Sequence, residues 1–254
     1  MLAVLLALSF SGCSELTGLD AQALMSPPKT TADREAIYAL MGGGVGDVTL
    51  VYPKCGDYRS AIISRDLDGC GTSEVVSFCA NGDAGGTRLE FFKKNTDGVW
   101  NSMARFTSAA TQVDKVFFGD LTGDGMDEII VGWGDPLTAT ASVSVYYVDG
   151  DTIREFSMTT VSYSEILLTD FDSDNIKELF VLQAAQTSGE EIMALGGLYR
   201  FDGDQPYVSK TVPLDAAVTR YTSVSFSQVN SWRRAAVLDL SLIHISEPTR
   251  HLRI

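Results

Sequence analysis

The chain has 254 residues, 45% of them apolar, and a formal net charge of −14. That apolar content suffices to bury a core and excludes an intrinsically disordered chain, while the acidity argues against nucleic acid or an anionic lipid surface as partner. Both histidines, His244 and His251, stand near the C-terminus, so the remainder has no Ser-His or Cys-His pair, no histidine metal site and no imidazole base.

Residues 1–13, MLAVLLALSFSGC, form an apolar run that ends in small residues and a cysteine. The run is too short to span a bilayer as a stable helix and has the shape of a secretory signal, a buried helix being the alternative. Ser-Gly-Cys resembles the lipobox of bacterial lipoproteins, which implies that Cys13 is lipidated and begins the mature protein, anchored to the cell envelope outside the cytoplasm. No Lys or Arg precedes the run, so Met1 is read as a truncated or misassigned start. Residues 14–31 are polar, contain Pro27-Pro28 and read as a tether. Residues 32–58 read as a lead-in. Thr31 or Asp33 caps a helix through about Met41, with Ile37, Leu40 and Met41 on one apolar face. Gly42 to Gly44 stop it, and Val48 to Tyr52 form a short strand. The apolar face predicts that the helix covers one side or face of the domain behind it.

From residue 59 the chain repeats the order strand, acidic loop, strand, hairpin, strand. The clearest loop lies in FFGDLTGDGMDEIIV, where Asp120, Thr122, Asp124 and Glu128 occupy loop positions one, three, five and nine between two apolar runs. Alternate oxygen-bearing side chains on one tight turn suit a hard cation such as Ca²⁺, with the Met126 carbonyl as a further ligand. Asp170, Asp172, Asp174 and Glu178 repeat the spacing, with Asn175 where the first loop has Gly125 at position six. Asp66, Asp68 and Glu74 form a third copy in which Cys70 replaces the carboxylate of position five. The loops begin at 66, 120 and 170, a period of roughly 50 residues that marks a repeat array. Turn signals at Asn95 to Gly98, Asp149 to Asp151 and Asp202 to Asp204 place a hairpin after each loop. Four strands per repeat is the blade of a β-propeller.

The three loops resemble the FG-GAP or VCBS repeat, the calcium-loop blade of integrin-type β-propellers, over about residues 60–239. The resemblance implies an all-β propeller of three recognisable four-stranded blades plus a partial fourth, behind a short N-terminal helix. It implies calcium ligands at positions one, three, five, seven and nine: Asp120, Thr122, Asp124, Met126 and Glu128, then Asp170, Asp172, Asp174, Ile176 and Glu178. The loop with Asp66, Asp68 and Glu74 is expected to bind more weakly, because Cys70 removes a carboxylate. A fourth copy beginning near Tyr221 keeps two apolar runs and has lost every acid, closing the blade region at 239. Residues 240–254 resemble the translation of a transposase adapter used in sequencing libraries and read as a non-native tail, with the native chain cut inside its fourth blade.

With Cys13 assigned to lipid, Cys55, Cys70 and Cys79 remain. Cys70 and Cys79 fall at opposite ends of a blade, while Cys55 and Cys79 could share one end as a disulfide, free thiols being the alternative. Trp133 and Tyr146-Tyr147 could line a sugar-binding face or fill the core. The chain is therefore read as a non-enzymatic, calcium-binding surface lipoprotein that acts as a binding or scaffold module for a protein or glycan ligand. The competing readings are part of an envelope enzyme, such as a glycan-acting hydrolase with its site in missing blades, and an envelope spacer.

Overall fold

The computed structural model describes residues 31–44, 46–135, 140–157, 162–183, 186–188, 191–202, 205–214, 221–230, 233–240 and 250–253. The fold is all-β, built from propeller-like blades that each run as an antiparallel meander. The first blade is β1 (Ile62–Arg65), β2 (Glu74–Ala80), β3 (Thr87–Lys94) and β4 (Trp100–Ser108), hydrogen-bonded in that order. The second is β5 (Gln112–Gly119), β6 (Glu128–Asp135), β7 (Thr140–Asp149) and β8 (Thr152–Glu155). The third runs β9 (Glu165–Thr169), β10 (Glu178–Leu182), β12 (Glu191–Asp202) and β13 (Gln205–Leu214), with the short β11 (Gln186–Ser188) also paired to β12. Each acidic loop joins the first two strands of its blade.

The second strands read as unbroken apolar runs because both of their faces are covered. In β6, Ile129, Val131 and Trp133 face the first blade, where they meet Val76, Phe78, Leu89 and Phe91. Ile130 faces the other way, into a cluster with Leu179, Val181, Tyr199 and Phe201 of the third blade. The period-two alternation of a strand thus feeds two successive cores, and the blades stack face to face. Trp133 is 4% exposed and Tyr146 3% exposed, so both belong to the core and neither lines a sugar-binding face.

The outer face of the first blade is covered by α1 (Ala32–Leu40), capped by Thr31, whose hydroxyl accepts from the Arg34 N–H. Ile37 and Met41 pack on Val75, Cys79 and Phe92. Three polar contacts fix the helix there. Asp33 accepts from the Lys94 ammonium and the Trp100 indole N–H, each at 3.0 Å, and Arg88 donates to the Met41 carbonyl at the helix end. Arg88 also pairs with the fully buried Glu90, as does Arg105.

Several expectations change. The strand expected over Val48 to Tyr52 shrinks to a single bridge, Leu50 to Cys79, flanked by hydrogen bonds of Val51 to Phe78 and Ala80 to Thr49. The Cys55–Cys79 disulfide is absent and both thiols are free. Cys79 is buried beneath α1 beside Leu50, whereas the chain carries Cys55 away to the second blade, where its thiol donates to Asp114 at 3.3 Å. In the fourth sheet, β14 (Tyr221–Asn230) and β15 (Arg233–Leu240) pair as expected, and β16 (Arg250–Arg253), from the segment expected to lack strand pattern, pairs along β15. An open strand edge recruits any extended segment through backbone groups alone, so this pairing needs no apolar pattern. The signal and lipidation site at residues 1–13, the tether at 14–30 and residues 241–249 lie outside the described residues.

A polar cluster ties the second and third blades to the lead-in segment where β5 and β9 begin. Asp114 accepts from the Tyr163 hydroxyl at 2.7 Å and from Cys55, while Lys115 pairs with Glu165 of the next blade. Gly132 opposite leaves room for the Tyr163 phenol, since a Cβ would collide with it. Burial and the Asp114 charge raise the Tyr163 phenol well above its ordinary range. Asp114→Ala should therefore cost about 1–3 kcal/mol in urea unfolding, because it strands a buried hydroxyl. Adding Tyr163→Phe should recover part of that loss, and a fully additive double mutant would show that the two groups are not coupled.

Candidate metal centre: the three acidic loops

The loops share a backbone design set by positions one, two, four, six and nine. The position-nine glutamates, Glu74, Glu128 and Glu178, are at most 2% exposed. Each accepts the backbone N–H of position two through Oε2: Leu67 at 2.9 Å, Leu121 at 2.6 Å and Phe171 at 2.8 Å. The position-two side chains are themselves buried in the core. The position-one aspartates accept the N–H of position six through Oδ2: Gly71 at 2.8 Å, Gly125 at 2.9 Å and Asn175 at 3.1 Å. Asp120 and Asp170 also accept the N–H of position four, Gly123 and Ser173.

Positions four and six are left-handed in all three loops. Glycines serve in the first two, Gly69 with Gly71 and Gly123 with Gly125, and Ser173 (φ 66°) with Asn175 (φ 71°) in the third. Asn175 was expected to fill this role. Ser173 was not, because serine carries no sequence signal for that conformation. Position five continues the pattern, with Asp124 accepting from Met126 and Asp174 from Ile176, both at 2.8 Å. Successive loops also bond to one another. Asp127 N–H donates to the Leu67 carbonyl at 3.1 Å and Lys177 N–H to the Asp120 carbonyl at 2.9 Å, while Arg65 pairs with Asp127.

The structure gathers some predicted ligands and not others. Asp170, Asp172 and Glu178 bring carboxylate oxygens within 4.8 Å of one another, and Asp66, Asp68 and Cys70 do so with a thiol. Among the described residues Asp120, Asp124 and Glu128 form no such group. The loops also differ in a residue type that their spacing does not reveal. Arg200, on β12, pairs with Asp172 and Glu178 and lies 3.8 Å from Asp174. Lys93, on β3, pairs with Asp68 and lies 3.7 Å from Glu74. The strand registers pair Val75 with Phe92, Leu179 with Tyr199 and Ile129 with Tyr146, so one residue further toward the loops Lys93 falls beside Glu74, Arg200 beside Glu178 and Tyr147 beside Glu128. Among the described residues, the second loop therefore receives no cation from its own blade.

Titration behaviour follows the charge balance. Burial, with the Asp124 and Asp120 charges, pushes Glu128 up to about 7, against the Leu121 N–H. Burial raises Glu74 and Glu178 as well. Asp68 is held at about 2: burial opposes its charge, and the bonds from Lys93 and Cys70 outweigh that. As a donor set the second loop fits a hard cation, since its side chains and the Met126 carbonyl offer only oxygen, and Glu128 Oε1 accepts from the Thr122 hydroxyl at 3.5 Å. The third loop has the same chemistry around a guanidinium. The first loop substitutes a sulfur.

No family model and no curated protein matches the chain. A solved structure described as an exo-beta-1,3-galactanase from Bifidobacterium bifidum s17 is similar at 13% identity and a TM-score of 0.29, over 75% of this chain and 70% of that one.

Two outcomes are expected. Ser173→Gly should raise stability by about 0.5–1 kcal/mol, since it relieves a left-handed L-residue at some cost in unfolded-chain entropy. An unchanged or lower urea midpoint would mean that Ser173 is not left-handed. In chelator, folded Glu128 keeps its proton to about pH 7, whereas the unfolded chain releases it near 4.5. The associated stability, about 3 kcal/mol at most, is full below pH 4.5 and lost as pH rises through 7. Urea midpoints across that range should fall for the native chain and stay flatter for Glu128→Gln.

Proposed function

We propose that this chain is a calcium-stabilised β-propeller of the FG-GAP or VCBS type, carried on a bacterial envelope lipoprotein through Cys13, and that it acts as a non-catalytic binding or scaffold module. The observation that carries this reading is the threefold loop: oxygen donors at positions one, three and nine of every copy, and at position five of the second and third, on a turn whose left-handed positions four and six recur throughout. Such a turn presents alternate side chains to one point, the arrangement a six- to eight-coordinate oxygen-loving ion requires. Calcium would act structurally, neutralising carboxylates that the blade core holds close together. The blade faces would remain free to bind a protein or glycan ligand.

Calorimetric titration of the metal-free protein should show calcium binding with a dissociation constant of about 10⁻⁴ to 10⁻³ M, as in other extracellular modules. Asp120→Ala combined with Asp124→Ala should remove binding at that loop and leave strand content by circular dichroism unchanged. Absence of any calcium heat would end the calcium reading.

A further inference from the structure

We propose that Lys93 and Arg200 are tethered cations that hold the first and third loops in place of a metal, so that calcium dependence is concentrated in the second loop, Asp120 to Glu128. This rests on the calcium reading above and revises the expected order, in which the third loop ranked with the second.

Arg200 meets the carboxylates of positions three, five and nine in the third loop, which are three of the four acids assigned to the ion there. The remaining one, Asp170, takes the N–H groups of Ser173 and Asn175. Lys93 reaches positions three and nine of the first loop in the same way. That loop also has a thiol at position five, a poor ligand for a hard cation. In the second loop the structurally equivalent residue is Tyr147, whose ring stacks on Phe156 at 4.4 Å within the core shared with the third blade. Among the described residues, Asp120, Asp124 and Glu128 therefore face one another without a counter-charge from their own blade, and their oxygens form no close group where those of the third loop converge.

A cation attached to the chain competes at an effective concentration of millimolar order, comparable to the calcium needed by a module of this affinity. Arg200 can thus exclude the ion from a loop whose donor set would otherwise accept it. Removing Arg200 leaves clustered carboxylates uncompensated, which destabilises the metal-free chain and opens the loop to calcium.

The test compares native protein with Arg200→Gln, Tyr147→Lys and Tyr147→Gln, by calcium calorimetry and by urea unfolding in chelator and in millimolar calcium. The native chain should bind calcium at one of the three loops. Arg200→Gln should lose stability in chelator, recover it in calcium and gain a second bound ion. Tyr147→Lys should weaken calcium binding at least tenfold and show unfolding that no longer depends on calcium. Tyr147→Gln, which removes the same ring without adding charge, should keep its calcium. Two or more ions on the native chain, no added ion in Arg200→Gln, or equal loss in Tyr147→Gln and Tyr147→Lys would each overturn the tethered-cation inference and leave the calcium reading standing. No binding by any variant would overturn both.

Discussion

Each loop is held by one buried hydrogen bond, from the backbone N–H of position two to the glutamate of position nine. A carboxylate that is almost wholly buried must spend its lone pairs on donors, because an unsatisfied charge in the core is costly. Position two is the donor within reach, and its own side chain is buried as a core residue, so the loop is fixed at both ends by the same layer. The chain between those ends has little choice but to turn tightly. Left-handed residues at positions four and six and Asp side chains bonded to nearby N–H groups are the way it does so.

That constraint also creates an electrostatic problem, which the blades meet in two ways. Bringing three or four carboxylates onto one turn raises mutual repulsion, and burial removes the water that would screen it. The first and third blades place a basic residue on their third strand, opposite the buried glutamate. The second blade places a tyrosine there, and burial with the Asp124 and Asp120 charges pushes its glutamate up to about 7. The same loops bond to one another from blade to blade, so the charge balance of one turn bears on the position of the next. The helix α1 meets a related need at the first blade, where Ile37 and Met41 cover an apolar face formed by Val75, Cys79 and Phe92.

Much of this was legible in the sequence. Apolar runs on either side of each acidic loop marked the first two strands, Asn95 to Gly98 marked a hairpin, and Thr31 marked a helix start, because each depends on residues close together in the chain. The candidate ligands were legible for the same reason. Cys55 was not: its partner Asp114 lies on the second blade, 59 residues further along the chain, and the expected placement at one end of the first blade suggested Cys79 instead. Glu74, Glu128 and Glu178 were read as metal ligands without their backbone bond, since spacing shows which atoms are near and not which are buried.

The sequence by itself determined the strand order, the repeat and the donor chemistry of the three loops, because period-two alternation, turn residues and carboxylate spacing are local properties of a chain. Only the tertiary structure decided which loop lacks an internal cation. Lys93 and Tyr147 each stand 19 residues after their glutamates but Arg200 stands 22 after, so no common spacing marks all three, and strand register is what sets each beside Glu74, Glu128 and Glu178. Face-to-face stacking likewise decided that Trp133 and Tyr146 are core, because an aromatic residue on a strand declares its face only when something packs against it.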